Sequence, residues 1–114
     1  MNLFGFSPCP NDTFIFYAIV NKKIDTDGLD FKFVIEDIET LNRLALDRRI
    51  DITKASCHTF YYVRDDYVFL RSGGAFGRGC GPLIVIKDSQ KNFDLNGKKI
   101  AIPGELTTAF HLLR

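Results

Sequence analysis

The sequence changes from a strand pattern to a helix pattern within residues 29–45, which read LDFKFVIEDIETLNRLA. In the first half, Phe31, Phe33 and Ile35 occupy alternate positions, and this period of two is typical of a strand with one buried face. In the second half, apolar residues recur at helical spacing: Ile38, Leu41, Leu44 and Ala45. The stretch therefore predicts a β-strand that is followed directly by a surface helix.

The same alternation continues on both sides of this stretch. The predicted strands are residues 2–7, 29–36, 50–54, 67–71, 82–87 and 98–102. The predicted helices are residues 14–20, 55–63 and 105–114, besides the one that begins at Ile38. This order, β-α-β-α-β-α-β-β-β-α, indicates an α/β protein whose sheet is largely parallel and flanked by helices.

Composition and charge exclude several classes of function. The 114 residues are 46% apolar and 25% charged, which is typical of a globular domain. A net charge of +1 gives no single-sign field that would bind nucleic acid or a membrane surface. The longest apolar run, residues 14–20, is far shorter than the roughly 18 residues of a membrane span. No signal peptide precedes it, so we expect a cytoplasmic protein.

The cysteines and histidines do not form a metal-binding pattern. Cys9, Cys57 and Cys80 are far apart and odd in number, which favours reduced thiols over disulfides or a zinc site. His58 follows Ser56 by two residues, and helix neighbours at that spacing do not face each other, so we expect His58 to be structural. His111 lies among apolar residues and is also predicted to be structural. We therefore expect no metal.

Three predicted strand-to-helix turns carry groups that suit an anion. They are residues 11–13, 53–56 and 104–108, each with hydroxyl or amide side chains at a helix start. Free backbone N–H groups at helix starts favour a carboxylate or phosphate, and Lys54 adds a full positive charge. Ligands of open α/β sheets bind at such turns. The turns predict a pocket for a small anion, although simple helix capping explains each turn taken alone.

The glycine-rich segment 72–81 does not have the pattern of a nucleotide-binding loop. A dinucleotide fingerprint needs GxGxxG between a strand and a helix, whereas here a strand pattern follows. We interpret the segment as a flexible connection or a pocket wall made of backbone. Arg78, within it, is predicted to face solvent.

Five motifs, in order along nearly the whole chain, resemble the 1,4-dihydroxy-6-naphthoate synthase family of futalosine-route menaquinone biosynthesis. They are SPCPNDTFIF at 7–16, EDIETLN at 36–42, DITKAS at 51–56, the glycine-rich run at 70–82, and IPG with TTA between 102 and 109. Any one of these motifs is weak evidence, and together they are specific.

This resemblance implies a fold, a reaction and a set of binding residues. The fold is the two-lobed, type II periplasmic-binding-protein-like architecture, here with a first lobe at 1–87, a crossover at 88–97 and the start of a second lobe at 98–114. The reaction is carbon–carbon bond cleavage of cyclic dehypoxanthinyl futalosine to 1,4-dihydroxy-6-naphthoate and dihydroxyacetone, without metal or organic cofactor. The implied contacts to this anionic aromatic substrate are Lys54, Ala55 and Ser56 from one lobe, Thr107 and Thr108 from the other, and the wall from Pro8 to Asn11.

The family pattern also extends beyond this sequence. Its proposed histidine base lies past position 114, so the resemblance implies no catalytic residue here, and a base must reach the proton it removes. We expect the 114-residue chain alone to be truncated, inactive and prone to self-association through exposed sheet surface. Three alternatives remain open: chorismate dehydratase of the same pathway, a non-catalytic protein that binds a small carboxylate, and a remnant of the fold without activity.

Overall fold

The computed structural model describes residues 1–79, 81–86 and 94–114. These residues form three strands: β1 (Asn2–Phe6), β2 (Phe31–Ile35) and β3 (Ile52–Thr53). The same described ranges contain four helices: α1 (Pro10–Val20), α2 (Ile38–Leu46), α3 (Cys57–Val63) and α4 (Thr108–Leu113). No helix in the described ranges has the length and apolar character needed to cross a membrane.

The strands form one parallel sheet in the order β2-β1-β3. Phe6 of β1 lies opposite Ile35 of β2, and Gly5 lies opposite Thr53 of β3. All three strands therefore end at the same side, which we call the carboxyl edge. The prediction of an α/β protein with a parallel, helix-flanked sheet is confirmed.

An aromatic cluster fills one face of the sheet beneath α1. Phe4 and Phe6 are buried because alternate residues of β1 point to the same face. Their rings meet Phe16 of α1 at centroid distances of 5.0 and 5.2 Å. Phe31 and Phe33 of β2 extend the cluster. The alternation that predicted β2 thus corresponds to a packed aromatic face.

Helices α2 and α3 pack around the opposite side. Leu41, Ala45, Ile50 and Val63 form its buried core. Gly5 makes this packing possible, because a Cβ atom there would lie 2.5 Å from Ile50 Cδ1 and 2.7 Å from Leu41 Cδ2. Helix α2 can therefore lie close against the central strand.

Three helix starts differ from the prediction. Helix α3 begins at Cys57, not at Ala55, because Ser56 occupies its N-cap position. Helix α1 begins at Pro10, not at Phe14, because Cys9 caps it and its sulfur accepts a hydrogen bond from the Asp12 N–H at 3.4 Å. Helix α4 begins at Thr108, not at Glu105, because the Thr107 hydroxyl caps it.

The predictions of strands at 67–71, 82–87 and 98–102 were wrong for the described part of these segments. Among the described residues, the sheet consists of β1, β2 and β3, and an apolar run becomes a strand only when a neighbour pairs with its backbone. Val85 is 87% exposed, which shows how little of the second run is covered. Residues 87–93, which include most of the predicted crossover, lie outside the described residues.

Candidate functional site

The carboxyl edge brings the turns after β1, β2 and β3 together. The turn after β2 is capped by Asp37, whose side chain accepts hydrogen bonds from the backbone of Glu39 and Thr40 at 2.9 and 3.0 Å. The Thr40 hydroxyl also donates to this carboxylate, and these bonds hold the pKa of Asp37 below its ordinary value. Each turn thus starts a helix whose first N–H groups lie at the same edge.

A buried carboxylate, Asp12, organises the first of these turns. Its side chain is 4% exposed and accepts hydrogen bonds from the Ser7 N–H at 3.0 Å and the Ser7 hydroxyl at 2.8 Å. Its other oxygen lies 3.4 Å from Lys54 Nζ. The turn after β1 is thereby tied to the turn after β3.

Lys54 is held inside the protein by two acceptors. Besides Asp12, its ammonium donates to the Gly73 carbonyl at 3.1 Å, and its side chain is 19% exposed. The glycine-rich segment therefore closes over this turn through its backbone, in line with a backbone-made wall. Among the described residues, the Lys54 ammonium makes one hydrogen bond, to Gly73, and one ion pair, with Asp12, so it can still donate to another acceptor.

Ser56 occupies the N-cap position of α3, but its hydroxyl makes no capping hydrogen bond. Instead it accepts from the side-chain amide of Asn42 at 3.1 Å, and the Ser56 N–H donates to the Asn42 side-chain oxygen at 2.9 Å. Asn42 is fully buried in α2. The half-buried Ala55 precedes this serine in the same turn.

Thr107 and Thr108 have different roles. Thr107 is 4% exposed, and its hydroxyl donates to the Gly104 carbonyl at 2.8 Å while accepting from the Phe110 N–H at 3.3 Å. The Thr108 hydroxyl accepts from the His58 N–H at 3.2 Å and donates to no group in the described part of the chain. Thr107 therefore caps α4, and Thr108 keeps its proton for another acceptor.

Two further contacts lock the turn before α4 onto α2 and α3. The Leu106 N–H donates to the Glu39 carboxylate at 3.0 Å, and the Thr59 hydroxyl donates to the Leu106 carbonyl at 2.8 Å. Gly104 is needed here because a Cβ atom would collide with the Glu39 side chain. The turns that carry Ser56 and Thr108 are thus joined through shared partners.

The other predicted site residues lie elsewhere at the same edge. Pro8 and Asn11 are both exposed, and Asn11 lines a cleft of about 560 Å³ together with Phe14, Ile15 and residues 75–77. A second cleft of about 600 Å³ is lined by apolar residues of 82–86, 95–103 and 109–113, together with Lys98 and Lys99. Neither cleft is lined by Ser56 or Thr108. Ser56 and Thr108 are both half-buried.

His58 and His111 lie side by side, and the two described cysteines are not paired. His58 stacks on His111 with ring centroids 4.3 Å apart, and it makes no hydrogen bond to Ser56. Cys9 and Cys57 are free thiols, while Cys80 lies outside the described residues. Within the described ranges, no group of three His, Cys, Asp or Glu side chains could hold a metal ion. Arg78 is exposed, as predicted.

Sequence reasoning did not identify three polar residues that support the site: Asp12 and Asn42, which are buried, and Glu39, whose side chain is 14% exposed. In the helical pattern of α2, Glu39 and Asn42 are polar residues that lie between the apolar positions. A signal was present for Asn42, which follows Leu41 and lies one helical turn before Ala45 and Leu46. A polar residue at the border of an apolar stripe is a candidate for a buried hydrogen bond.

The sequence matches a protein family described as menaquinone biosynthesis over residues 3–114. It is 52% identical over 109 residues to a 1,4-dihydroxy-6-naphthoate synthase of Thermus thermophilus and 41% identical over 111 residues to one of Streptomyces coelicolor. These alignments cover 96% of this chain, and 39% and 38% of the two relatives.

The fold is shared with a solved structure as well. A crystal structure of a protein from Archaeoglobus fulgidus is 41% identical and superposes with a TM-score of 0.89. The alignment covers 98% of this chain and 41% of that protein. The chain thus spans about two fifths of the length of the proteins it resembles.

Proposed function

Because the chain belongs to the menaquinone biosynthesis family, we propose that it supplies part of the substrate site of a 1,4-dihydroxy-6-naphthoate synthase. Both curated relatives carry that name, and their alignments, at 52% and 41% identity, cover 96% of this chain. Neither chorismate dehydratase nor a non-catalytic binding protein has comparable support. The reaction is a lyase reaction that releases 1,4-dihydroxy-6-naphthoate, in a cytoplasmic enzyme.

The proposed binding role rests on two hydroxyl groups that accept a hydrogen bond from the protein and donate none within the described residues. Ser56 and Thr108 each accept a hydrogen bond from the protein, so each keeps its proton to donate. A carboxylate is an acceptor only, and donors held in place bind it without a further ordering cost. The Lys54 ammonium, which makes one hydrogen bond and one ion pair within the protein, adds positive potential to the turn that carries Ser56. These groups suit the carboxylate of a naphthoate.

Chemistry on a carbon acid requires a base within hydrogen-bond reach and a cleft that excludes water. We propose that both come from a second lobe of a type II periplasmic-binding-protein-like fold, begun by residues 98–114 after a first lobe at 1–87. The 114-residue chain alone then binds aryl carboxylates without turning them over.

The test is a binding titration with 2-naphthoate, a stable analogue of the product, followed by calorimetry or ligand-detected NMR. The neutral 2-naphthamide has the same ring system without the charge, so it separates anion recognition from stacking. We expect 2-naphthoate to bind more tightly, and Ser56→Ala to weaken it about tenfold, as for a hydrogen bond to a charged group. Thr26→Ala is the control, because its hydroxyl donates to Leu29 at the opposite edge of the sheet. Equal binding of both probes would refute the proposal.

A further inference from the structure

Asn42 holds Ser56 by two hydrogen bonds at once. Its side chain is fully buried in α2, fourteen residues before the serine it contacts. The Ser56 N–H donates to the Asn42 oxygen at 2.9 Å, and the Asn42 nitrogen donates to the Ser56 hydroxyl oxygen at 3.1 Å. The two residues therefore form a closed pair across the packed surfaces of α2 and the turn before α3.

The orientation of the amide group is fixed by this pair. A backbone N–H can only donate, so the atom that faces the Ser56 N–H must be the amide oxygen. The amide nitrogen then necessarily faces the Ser56 hydroxyl. Since that nitrogen can only donate, the hydroxyl oxygen must accept, and its own proton cannot point towards Asn42.

We propose that Asn42 is a positioning residue, which sets the Ser56 hydroxyl as a hydrogen-bond donor towards the bound carboxylate. Thr107 shows the opposite arrangement, because its hydroxyl proton is used on the Gly104 carbonyl. Among the described residues, nothing accepts the Ser56 proton. A donor that is oriented before binding loses less rotational freedom when the anion arrives. This inference rests on the proposed function of Ser56 in anion binding.

The test is a double-mutant cycle on the affinity for 2-naphthoate. Asn42→Asp keeps the size and the acceptor for the Ser56 N–H, but it replaces the donor by an acceptor and draws the hydroxyl proton inwards. The new charge also repels the ligand, and this repulsion acts equally with or without the hydroxyl. We expect the loss of affinity from Asn42→Asp to be about tenfold greater in the unsubstituted protein than in the Ser56→Ala background.

The matched control is Asn96→Asp, which makes the same chemical change at an exposed position and is expected to leave affinity unchanged. Equal losses from Asn42→Asp in the two backgrounds would mean that Asn42 acts through charge or packing alone. That result overturns the positioning role while leaving the binding role of Ser56 intact. Absence of 2-naphthoate binding by the unsubstituted protein overturns the proposed function, and the positioning role with it.

A second measurement needs no substitution of a buried residue. The side-chain N–H signals of Asn42, observed by NMR, report directly on the bond to Ser56. We expect saturating 2-naphthoate to shift these signals, because the hydroxyl becomes a better acceptor when it donates to an anion. The shift should be absent in Ser56→Ala. Unchanged Asn42 signals in a protein that has bound 2-naphthoate would contradict the inference, even if Asn42→Asp fails to fold.

Discussion

Replacing Asp12 by asparagine should remove an ion pair and little else. Both Ser7 hydrogen bonds go to a single oxygen of Asp12, at 3.0 and 2.8 Å, and the asparagine oxygen can take that place. The amide nitrogen then faces Lys54, which lies 3.4 Å from the other carboxylate oxygen. A lysine ammonium that is only 19% exposed is thus left without its counter-charge.

The expected loss in the free energy of unfolding follows from the burial of Asp12 and Lys54. Breaking a buried pair by removing one partner costs about 3–5 kcal/mol. Lys54 keeps its bond to the Gly73 carbonyl and some solvent, so we expect about 2–3 kcal/mol for Asp12→Asn. Asp12→Ala also removes the acceptor for Ser7 and should cost about 3–5 kcal/mol.

Urea unfolding, followed by circular dichroism, measures these differences. The control is Asp65→Asn at an exposed position, which we expect to change the free energy of unfolding by less than about 0.5 kcal/mol. Adding Lys54→Met should recover part of the Asp12→Asn loss, because no unpaired charge remains. If Asp12→Asn lowers the free energy of unfolding no more than Asp65→Asn does, the ion pair between Asp12 and Lys54 does not stabilise the fold and our account of the pair is wrong.

Four further predictions test the fold and the site. Gly5→Ala should cost about 1–3 kcal/mol in urea unfolding, since its methyl group would overlap Leu41 and Ile50, whereas Gly74→Ala, with open space around it, should be neutral. Asp37→Ala should lower the melting temperature at neutral pH. Because the pKa of Asp37 is lowered in the folded protein, its stabilisation is present above the ordinary carboxyl range, and the difference between the two proteins should vanish as the pH falls through the lowered pKa. Glu39→Ala should speed hydrogen exchange of the Leu106 N–H about tenfold by NMR, and an unchanged rate would exclude the Glu39 contact. The chain should associate with increasing concentration in sedimentation, and Val85→Lys should reduce this; a monomer at all concentrations would contradict an apolar self-association surface.

The parallel sheet and the two central helices could be predicted because periodicity reports which face is buried. β2 and α2 begin close to the predicted positions, and the aromatic residues of β2 form the packed face that their alternation indicated. The runs at 67–71 and 82–86 are largely apolar, as β2 is, but they remain outside the sheet. Strand formation depends on a backbone partner, and no local pattern identifies the partner.

The hydroxyl-bearing turn residues of the candidate site could be predicted from the sequence, but the side chains that hold their turns in place could not. Turn residues such as Ser56 and Thr108 stand out because hydroxyls near helix starts have a recognisable pattern. Asn42 hydrogen-bonds Ser56, and Glu39 accepts from the Leu106 N–H in the turn before Thr108, so each contacts a residue far along the chain. Contacts between residues 14 or 67 positions apart depend on how α2 packs, which is a property of the fold and not of a motif.

The most direct test of the central claim is a crystal structure of the protein with 2-naphthoate bound. The account predicts the carboxylate within hydrogen-bond distance of the Ser56 and Thr108 hydroxyls, with the Asn42 amide nitrogen still on the serine. A carboxylate bound elsewhere, or a Ser56 hydroxyl that still donates to no atom of the ligand, would contradict it.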